Sequence, residues 1–590
     1  MKILFEEYSY PISIIEDLAM SPYFFRNEEN ERAQIPYVGY YYSQDLKDSV
    51  FILPKVFLWA VSDPEFPRHS TSQLAFGRWD PCKIIHSRPD DNPLKEDGYD
   101  QVVFGLSTWL YQAIKRYNVR HPYSQIIENA KIQNVISNRG TSSETYLDII
   151  LSLIRFQKEH QQLFTYISII NSSGNNKIHW GKTVSKVQPI INEDEPFYAT
   201  FKNKNKIINF DEELIVLFYS VLGWLREKYS FPIKSSLNYF VFPARQIDAM
   251  IDSGRGTRLL RSIRKKYFTD ELVALWKLLY AFFEKAESIA NHNYHEEALL
   301  VHNFNMVFED MIDTLISDDN QASTDLKTNK DDKRIDHIYK DTSLVDSDLI
   351  YYIADSKYYK ETTDIQGTSL YKQYTYARNI IQYNIDIFNQ QDRGEHLSQS
   401  KKKTIEGVRY RDPLTEGYNI TPNFFIRGSI YPEDIKDGKA DYSNPRLSPE
   451  KDPEDIRKDF IRFNTHFENR LFDRDTLVLK SYNINFLFVL SAFVLQKDNR
   501  AFRDKVKLTF RRQLIEAFNR EYSFFILTPK SLTVEEFVHK YFKDLIGKIY
   551  RSSESANTLW LALKQNSSDD VVLDLIRADA IIEPTTLKNV

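Results

Sequence analysis

The segment from Lys333 to Tyr359, KRIDHIYKDTSLVDSDLIYYIADSKYY, has the pattern of a β-hairpin and carries two acids at matching positions. Its two ends are rich in Ile and Tyr, which favour strands, and the span between them is rich in Asp, Ser and Thr, which favour turns. If the strands are antiparallel and Asp336 faces Asp355, the midpoint of the pair falls at residues 345–346, inside the polar turn. The sequence therefore predicts a hairpin that brings these two carboxylates together.

The second strand of this hairpin also presents a lysine. Asp355 and Lys357 are two positions apart, so their side chains point to the same face of the strand. A divalent cation such as Mg²⁺ prefers carboxylate oxygens and activates a bound water, and a nearby lysine can orient that water or stabilise charge developing on phosphorus. We therefore predict phosphodiester hydrolysis, with Asp336 and Asp355 binding Mg²⁺ (or Mn²⁺) and Lys357 acting on the attacking water.

Helical patterns flank the hairpin on both sides. Upstream, ALLVHNFNMVFEDMIDTLIS has apolar residues at helical spacing and contains Glu309; downstream, TSLYKQYTYARNII carries Gln373 and Tyr376 on its first turns. An acidic helix, a hairpin with two acids and a lysine, and a helix with Gln resemble the PD-(D/E)xK nuclease superfamily. The resemblance implies that Glu309 is a supporting acid and that Gln373 positions the site. The alternative is a hairpin whose acids form ordinary surface ion pairs.

Further motifs, in the order YVGYYY…FILPKVF, IHWGKT, FED, RIDHIYKD…IADSKYY, resemble the LlaJI-type restriction proteins, relatives of the McrC nuclease subunit of McrBC-type restriction. SYNINFLFVLSAF at 481–493 resembles that family's C-terminal strand and helix, and the resemblance spans most of residues 30–500. Ile335 stands where the family usually has Pro, a position that makes no contact with metal. The resemblance implies an endonuclease that acts on double-stranded foreign DNA within a hetero-oligomer that contains an AAA+ GTPase of McrB type.

The length of 590 residues exceeds what one ordinary core supports, so several domains are expected. We predict an α+β multidomain protein: a β-rich N-terminal partner or recognition module at 1–130 and a helical middle region at 131–289, followed by a mixed-sheet PD-(D/E)xK nuclease domain at 290–500 and a helical C-terminal appendage at 501–590. Within the first region, a helix is expected at Val103–Tyr117.

The charge balance bears on how the chain would hold DNA. A net charge of −5 does not suit a protein that grips long DNA unaided, because phosphate neutralisation dominates such affinity. Residues 253–268, SGRGTRLLRSIRKKYF, form a basic amphipathic helical pattern with Arg258, Arg261 and Lys265 on one side. These three residues are candidate DNA contacts, and a merely solvated helix face is an equal alternative.

The cellular setting is predicted from what the sequence carries. A single cysteine, Cys82, fits a reducing compartment, and the acidic start MKILFEEYSYP does not fit a signal peptide. The longest apolar run, at 484–495, is too short to span a bilayer. We therefore expect a cytoplasmic protein without a membrane contact.

Two other functions remain open at the level of sequence. One is a self-sufficient type II restriction endonuclease that reads its own DNA sequence. The other is a non-catalytic scaffold that stimulates an NTPase and uses the hairpin only as structure; the acids and lysine of the hairpin, together with Glu309, favour an enzyme over this scaffold.

Overall fold

In the computed structural model of the chain, the described residues run from 2 to 588, with gaps at 19–23, 28–30, 44–47, 63–70, 87–92, 123, 125, 130–144, 162, 164, 173–176, 230–238, 291–296, 319–334, 361–366, 395–396, 399–400, 403–405, 437, 450–459, 464–466, 468, 496–499 and 566–569. The first residues of the predicted hairpin segment, up to 334, therefore lie outside the described residues.

The N-terminal region contains β1 (Lys2–Phe5), β2 (Ser9–Pro11), α1 (Ile12–Asp17), β3 (Phe25–Asn27), β4 (Arg32–Gln34), β5 (Tyr37–Ser43), β6 (Asp48–Leu53), β7 (Leu58–Ser62), β8 (Thr71–Ala75), α2 (Pro81–His86), α3 (Tyr99–Arg120) and β9 (Ile127–Asn129). The middle region contains α4 (Tyr146–Glu159), β10 (Tyr166–Asn171), α5 (Trp180–Lys186), β11 (Ile190–Asn192), β12 (Glu195–Phe197), β13 (Asn203–Ile208), α6 (Glu213–Tyr229), α7 (Ala244–Asp252), α8 (Arg255–Ile263) and α9 (Asp270–Ala290).

The next region contains β14 (Glu297–His302), α10 (Asn305–Ile316), β15 (His337–Thr342), β16 (Leu349–Lys357), α11 (Gly367–Asp392), β17 (Arg411–Asp412), β18 (Gly417–Tyr418), β19 (Thr421–Ser429), β20 (Ile435–Lys436), β21 (Lys439–Ala440), β22 (Leu447–Pro449), β23 (Phe460–Phe463), β24 (Leu477–Asn485) and α12 (Phe486–Leu495). The last region contains α13 (Arg500–Glu521), β25 (Tyr522–Pro529), α14 (Val534–Leu545), β26 (Ile549–Tyr550), β27 (Leu559–Lys564), α15 (Asp570–Ile576) and β28 (Ala580–Thr585).

The N-terminal sheet has the order β1-β6-β5-β14-β9 and so takes one strand from far along the chain. The helical pattern predicts that the residues of β14 begin the helix that carries Glu309. This prediction is wrong, because these residues pair antiparallel with β5 and β9. A short, fully apolar run such as ALLV fits a buried strand as well as a buried helix, so its pattern does not separate the two. The helix begins only at Asn305.

Strands β5 and β6 lie within the region 1–130 that is predicted to be a partner or recognition module. Tyr40, Tyr41 and Tyr42 are at most 3% exposed, and Val50–Leu53 are buried as well. These strands are central in their sheet, and α3, which contains the predicted helix Val103–Tyr117, packs on them. Their aromatic side chains therefore build the core instead of a docking surface.

The second large sheet is mixed and has the order β15-β16-β19-β24-β22, with β23 also paired to β24. The β15–β16 pair is antiparallel, while β16, β19 and β24 run parallel to one another. His337 pairs with Ala354, so the register continues to Asp336 opposite Asp355, as predicted. The turn spans the residues between Thr342 and Leu349 and is closed by a hydrogen bond from the Ser343 N–H to the Asp348 carbonyl, 2.7 Å long.

Helix α10 lies directly on this sheet. A Cβ at Gly428 of β19 would come within 2.8 Å of the Phe308 ring, so the helix can approach the strand this closely only because that residue is glycine. The Phe308 ring stacks on Phe486 at the start of the buried helix α12, with 5.9 Å between ring centroids. Glu309, the next residue, is thereby brought to the end of the hairpin.

Two other regions contain strands in addition to the helices that are predicted for them. The middle region is helical in α4 and α6–α9, but it also contains the two-stranded pairs β10–β13 and β11–β12. The last region is not purely helical, since β26, β27, β25 and β28 form a four-stranded sheet beside its helices. Among the described residues, no helix has the length and apolar character needed to cross a bilayer.

Candidate active site

The open end of the hairpin lines a cavity of about 380 Å³. Asp336, Asp355 and Lys357 lie on its wall together with Glu309, so four of the five predicted catalytic residues share one cavity. The wall also includes Tyr376, which the sequence places with Gln373 on the first turns of the downstream helix. The other residues of the wall have no predicted role: Glu6, Glu7, Pro36, Lys55, Asn303, Asn305, Ser356, Tyr358, Tyr359 and Lys372.

Asp336 and Asp355 are in direct contact across the two strands. The Ser356 backbone N–H donates a hydrogen bond to Asp336 Oδ2 at 3.2 Å, which fixes one carboxylate at the end of the strand pair. Burial raises the pKa of Asp336 well above its ordinary value, and the neighbouring carboxylates Asp355 and Glu309 raise it further. Two carboxyl groups this close cannot both be ionised at low cost unless a positive charge joins them.

Lys357 supplies one such charge. Its Nζ lies 2.5 Å from Asp355 Oδ2, and both side chains are 12% exposed. The Lys357 side chain also lies over the Phe425 ring of the neighbouring strand, 5.3 Å from the ring centroid. The predicted placement of Asp355 and Lys357 on one side of the strand is therefore confirmed, and the amine is held within reach of the cavity.

A divalent cation fits the chemistry of this pair. Mg²⁺ is usually bound by one or two carboxylates and otherwise by water, and Asp336 and Asp355 offer two hard oxygen donors in a shared position. Glu309 lies on the same wall. As the side chains stand, no three His, Cys, Asp or Glu residues in the described part of the chain form a group able to hold one ion. The aspartate pair is therefore the part of this wall whose oxygens could hold a divalent cation, with Glu309 as a neighbour.

Helix α11 approaches the cavity through residues other than the predicted one. Gln373 is fully buried, and neither atom of its side-chain amide has a hydrogen-bond partner among the described residues. Lys372 and Tyr376 of the same helix line the cavity instead. Burial raises the pKa of the Tyr376 hydroxyl, and the three carboxylates raise it further, which is consistent with this position. A cation at the start of a helix beside an acidic hairpin is the sequence signal that could have identified Lys372.

A histidine behind the hairpin supports its geometry. His337 is completely buried, its Nδ1 lies 3.2 Å from Asp313 Oδ1 of α10, and its Nε2 contacts the Ser356 hydroxyl. Because Ser356 also donates its N–H to Asp336, this chain of contacts joins the helix to both strands. This support could not be predicted from sequence, since a lone histidine in a strand has no specific signature.

Two of the three candidate DNA contacts, Arg258 and Arg261, line a separate groove. Arg258 and Arg261 are exposed on α8, and Lys265 is exposed just after it. Their surroundings are of mixed charge: Arg261 Nη2 lies 2.7 Å from the Tyr280 hydroxyl, and Glu284 and Glu287 line the same groove. The predicted helix with basic residues on one face is present, but acidic side chains of the neighbouring helix lie beside it.

The largest group of exposed apolar side chains lies on the small strands and helix between residues 166 and 210. Ile191 is 72% exposed, and nine further residues are at least 37% exposed: Tyr166, Ile169, Trp180, Val184, Ile190, Phe197, Phe201, Ile207 and Phe210. We call these ten residues the apolar surface. Ile190 and Ile191 are adjacent on β11 and point to opposite faces of the strand, so the ten residues are a set of exposed apolar positions and not one continuous patch. A segment this rich in exposed apolar side chains is a candidate protein interface.

Comparisons with known proteins identify no family. No protein-family model matches the chain, and no curated protein matches it. Among solved structures, the chain is similar to one in the refined half-complex from a tetradecameric assembly of Thermococcus gammatolerans McrB AAA+ hexamers with bound McrC, at 12% identity and a TM-score of 0.25. The match covers 87% of this chain and 99% of that chain. A TM-score this low does not establish a shared fold.

Proposed function

We propose that this chain is a metal-dependent DNA endonuclease that works with an AAA+ GTPase of McrB type in the restriction of foreign DNA. The observation that carries the nuclease is the contact between Asp336 and Asp355 at the mouth of a polar cavity, with Lys357 Nζ 2.5 Å from Asp355. An ordinary surface ion pair would not bury two acids against each other, because that raises the cost of ionising them.

Each residue has a role in phosphodiester hydrolysis. Asp336 and Asp355 would hold Mg²⁺ or Mn²⁺, which when bound polarises the phosphate and lowers the pKa of a water molecule. Lys357 would orient that water and stabilise the negative charge that develops on phosphorus as the P–O bond to water forms and the bond to the leaving oxygen breaks. Lys372, exposed on the cavity wall, would contact the DNA backbone.

The nuclease is tested with Asp355→Ala and Lys357→Ala. Plasmid cleavage with Mg²⁺, assayed with the partner present, should fall by on the order of 10³-fold in each variant, because each removes a group that acts on the reacting phosphate. Thermal melting of the same samples shows whether the fold survives. Full cleavage by either variant would refute the assignment.

The partner is proposed from the resemblance to McrC-like proteins, and the apolar surface supports a protein partner. Ile191→Asp places a charge at the most exposed position of that surface, and it should weaken copurification with the AAA+ protein and lower stimulated GTP turnover by at least about 10-fold. Val571→Asp, at a residue 70% exposed on α15, is the matched control and should change neither. Equal GTP turnover in both variants would place the interface elsewhere.

Asp355→Ala completes this comparison. It should retain partner binding and GTPase stimulation and lose only cleavage, since its side chain faces the cavity. A self-sufficient endonuclease would instead cleave specific DNA without any partner protein, and a scaffold would stimulate GTP turnover without any cleavage at all.

A further inference from the structure

We infer that Glu6, near the start of the chain, is a positioning residue of the nuclease centre. It fixes Tyr358, and Tyr358 in turn fixes the lysine and the acidic helix of the cavity. This inference rests on the proposed function, because it assigns a role in that same site. Glu6 lies outside the predicted nuclease domain, 352 positions before Tyr358.

The cavity is built by two regions that are distant in sequence. Asp336, Asp355 and Lys357 come from the hairpin, and Glu6 and Lys55 come from the turns that follow β1 and β6 of the N-terminal sheet. The N-terminal sheet is therefore a wall of the site and not a separate attachment.

Tyr358 is the residue through which this wall contacts the hairpin. Its hydroxyl donates to the Glu6 carboxylate and accepts a hydrogen bond from the Lys55 backbone N–H at 3.2 Å. The same Lys55 N–H lies 3.1 Å from Glu6 Oε2, so the three groups form a closed triangle. Burial raises the pKa of Tyr358 well above its ordinary value, so the phenol keeps the proton that it donates.

The position of Tyr358 determines the position of two catalytic groups. It directly follows Lys357 in the chain, so a shift of its ring moves the backbone that carries the amine. Its ring also packs against Phe304 and Phe308, at centroid distances of 5.4 and 5.9 Å, and Phe308 directly precedes Glu309. The anchored ring of Tyr358 thus determines the distance and orientation of Lys357 relative to Glu309.

A second contact holds the same segment. Lys360 Nζ donates to the Glu7 carbonyl at 2.9 Å, and Lys55 Nζ lies 2.6 Å from Glu7 Oε1. Glu7 has φ of 55°, a left-handed conformation that is unfavourable for a residue other than glycine. Its N–H is bound to the Ile35 carbonyl at 2.9 Å, so the surrounding contacts impose this conformation. Because these contacts hold the Glu7 backbone in an unfavourable conformation, they also fix the direction in which the preceding Glu6 side chain points.

The test begins with Tyr358→Phe, which removes one hydroxyl and leaves the ring in place. Displacement of catalytic groups by about 1 Å can cost on the order of 10²-fold in rate, so we expect single-turnover cleavage at saturating DNA and Mg²⁺ to fall at least 10-fold. The affinity for DNA and the melting temperature should stay near those of the unaltered chain. Tyr339→Phe is the matched control, because Tyr339 is a buried hairpin tyrosine whose hydroxyl has no hydrogen-bond partner among the described residues.

Two substitutions at Glu6 separate positioning from bulk packing. Glu6→Gln keeps an oxygen that accepts from Tyr358 and from the Lys55 N–H, and it should retain cleavage within about threefold. Glu6→Ala loses both acceptors and should match Tyr358→Phe. A merely structural role would lower the melting temperature of both Glu6 variants without this difference in rate.

A readout that does not depend on cleavage follows Lys357 directly. Limited acetylation, quantified by mass spectrometry, should show altered Lys357 reactivity in Tyr358→Phe and Glu6→Ala and unchanged reactivity in Tyr339→Phe. Unaltered cleavage and unaltered Lys357 reactivity in Tyr358→Phe would overturn the inference, while an inactive Asp355→Ala would still support the nuclease. Full cleavage by Asp355→Ala would instead reject the nuclease itself, whatever the Lys357 labelling shows.

Discussion

The two ends of the β15–β16 hairpin each hold a pair of acids, yet only one end has the features of a reaction site. At the open end, Asp336 and Asp355 meet beside Lys357 on the wall of a cavity. At the turn, Asp346 is 3% exposed, and burial followed by the neighbouring Asp348 raises its pKa to about 6. Burial and like charge are thus common to both ends and do not distinguish them.

The difference lies in what surrounds each pair. At the turn, Arg409 lies 3.5 Å from Asp348 and 3.4 Å from Asp412, so a fixed guanidinium already neutralises the acids and ties the turn to another loop. At the open end, the cation is a lysine beside open space that could admit a phosphate. Asp348 of the turn also lines a cavity, of about 920 Å³, so space alone does not distinguish the two ends. The fixed guanidinium counter-charge at the turn is what separates that acid pair from the candidate metal site.

The largest expected effect separates the two ends by activity. Asp336→Asn removes one carboxylate of the open end and should lower Mg²⁺-dependent DNA cleavage by on the order of 10³-fold. The double variant Asp346→Asn/Asp348→Asn, at the turn, should cleave at the rate of the unaltered chain. The opposite result would mean that the turn carries the metal, and both variants are compared by plasmid cleavage.

An intermediate effect distinguishes two adjacent residues of α11 at the open end. Lys372→Ala removes a cation from the cavity wall, so we expect DNA affinity to fall by about 10-fold and the slope of log affinity against log salt to decrease by about one. Gln373→Leu replaces a buried amide that has no partner among the described residues, so DNA affinity and cleavage should stay within about threefold. Titration of labelled DNA at several salt concentrations measures both, and a reversed order would restore Gln373 as the site residue.

The smallest effect concerns stability at the turn. The pKa of Asp346 is about 6 in the folded chain and about 3.8 in the unfolded chain, so the folded state binds the proton more tightly. The resulting stabilisation is complete below about pH 3.8 and is lost as the pH rises through about 6, to a limit of roughly 3 kcal/mol. Asp346→Asn cannot ionise and should therefore melt a few degrees higher than the unaltered chain at pH 8.

The same variant at pH 4 is the control, because both chains then carry an uncharged side chain at this position. Equal melting temperatures at pH 8 would show that the turn tolerates the charge, most directly by a stronger interaction with Arg409.

The hairpin could be predicted from sequence because its information is local. Strand-forming residues, a polar turn and the alternation of side chains define the register, and these determine which acids meet. The contribution of Glu6 and Lys55 could not be predicted, because their contact with Tyr358 joins residues some 300 positions apart. Gln373 shows a different limit: a helix was correctly placed beside the site, but its rotation, which brings Lys372 and Tyr376 to the cavity, depends on packing.

The N-terminal sheet has a consequence for how the chain folds during synthesis. Strand β5 pairs on one side with β6, which follows it closely, and on the other side with β14, which begins more than 250 positions later at Glu297. Until the ribosome has released that strand, one edge of β5 has unpaired backbone N–H and C=O groups, a state prone to pairing with other chains. Such long-range pairing is also slow. We therefore expect the nascent first half of the chain to depend on chaperones, and to aggregate when synthesis stops short of residue 302.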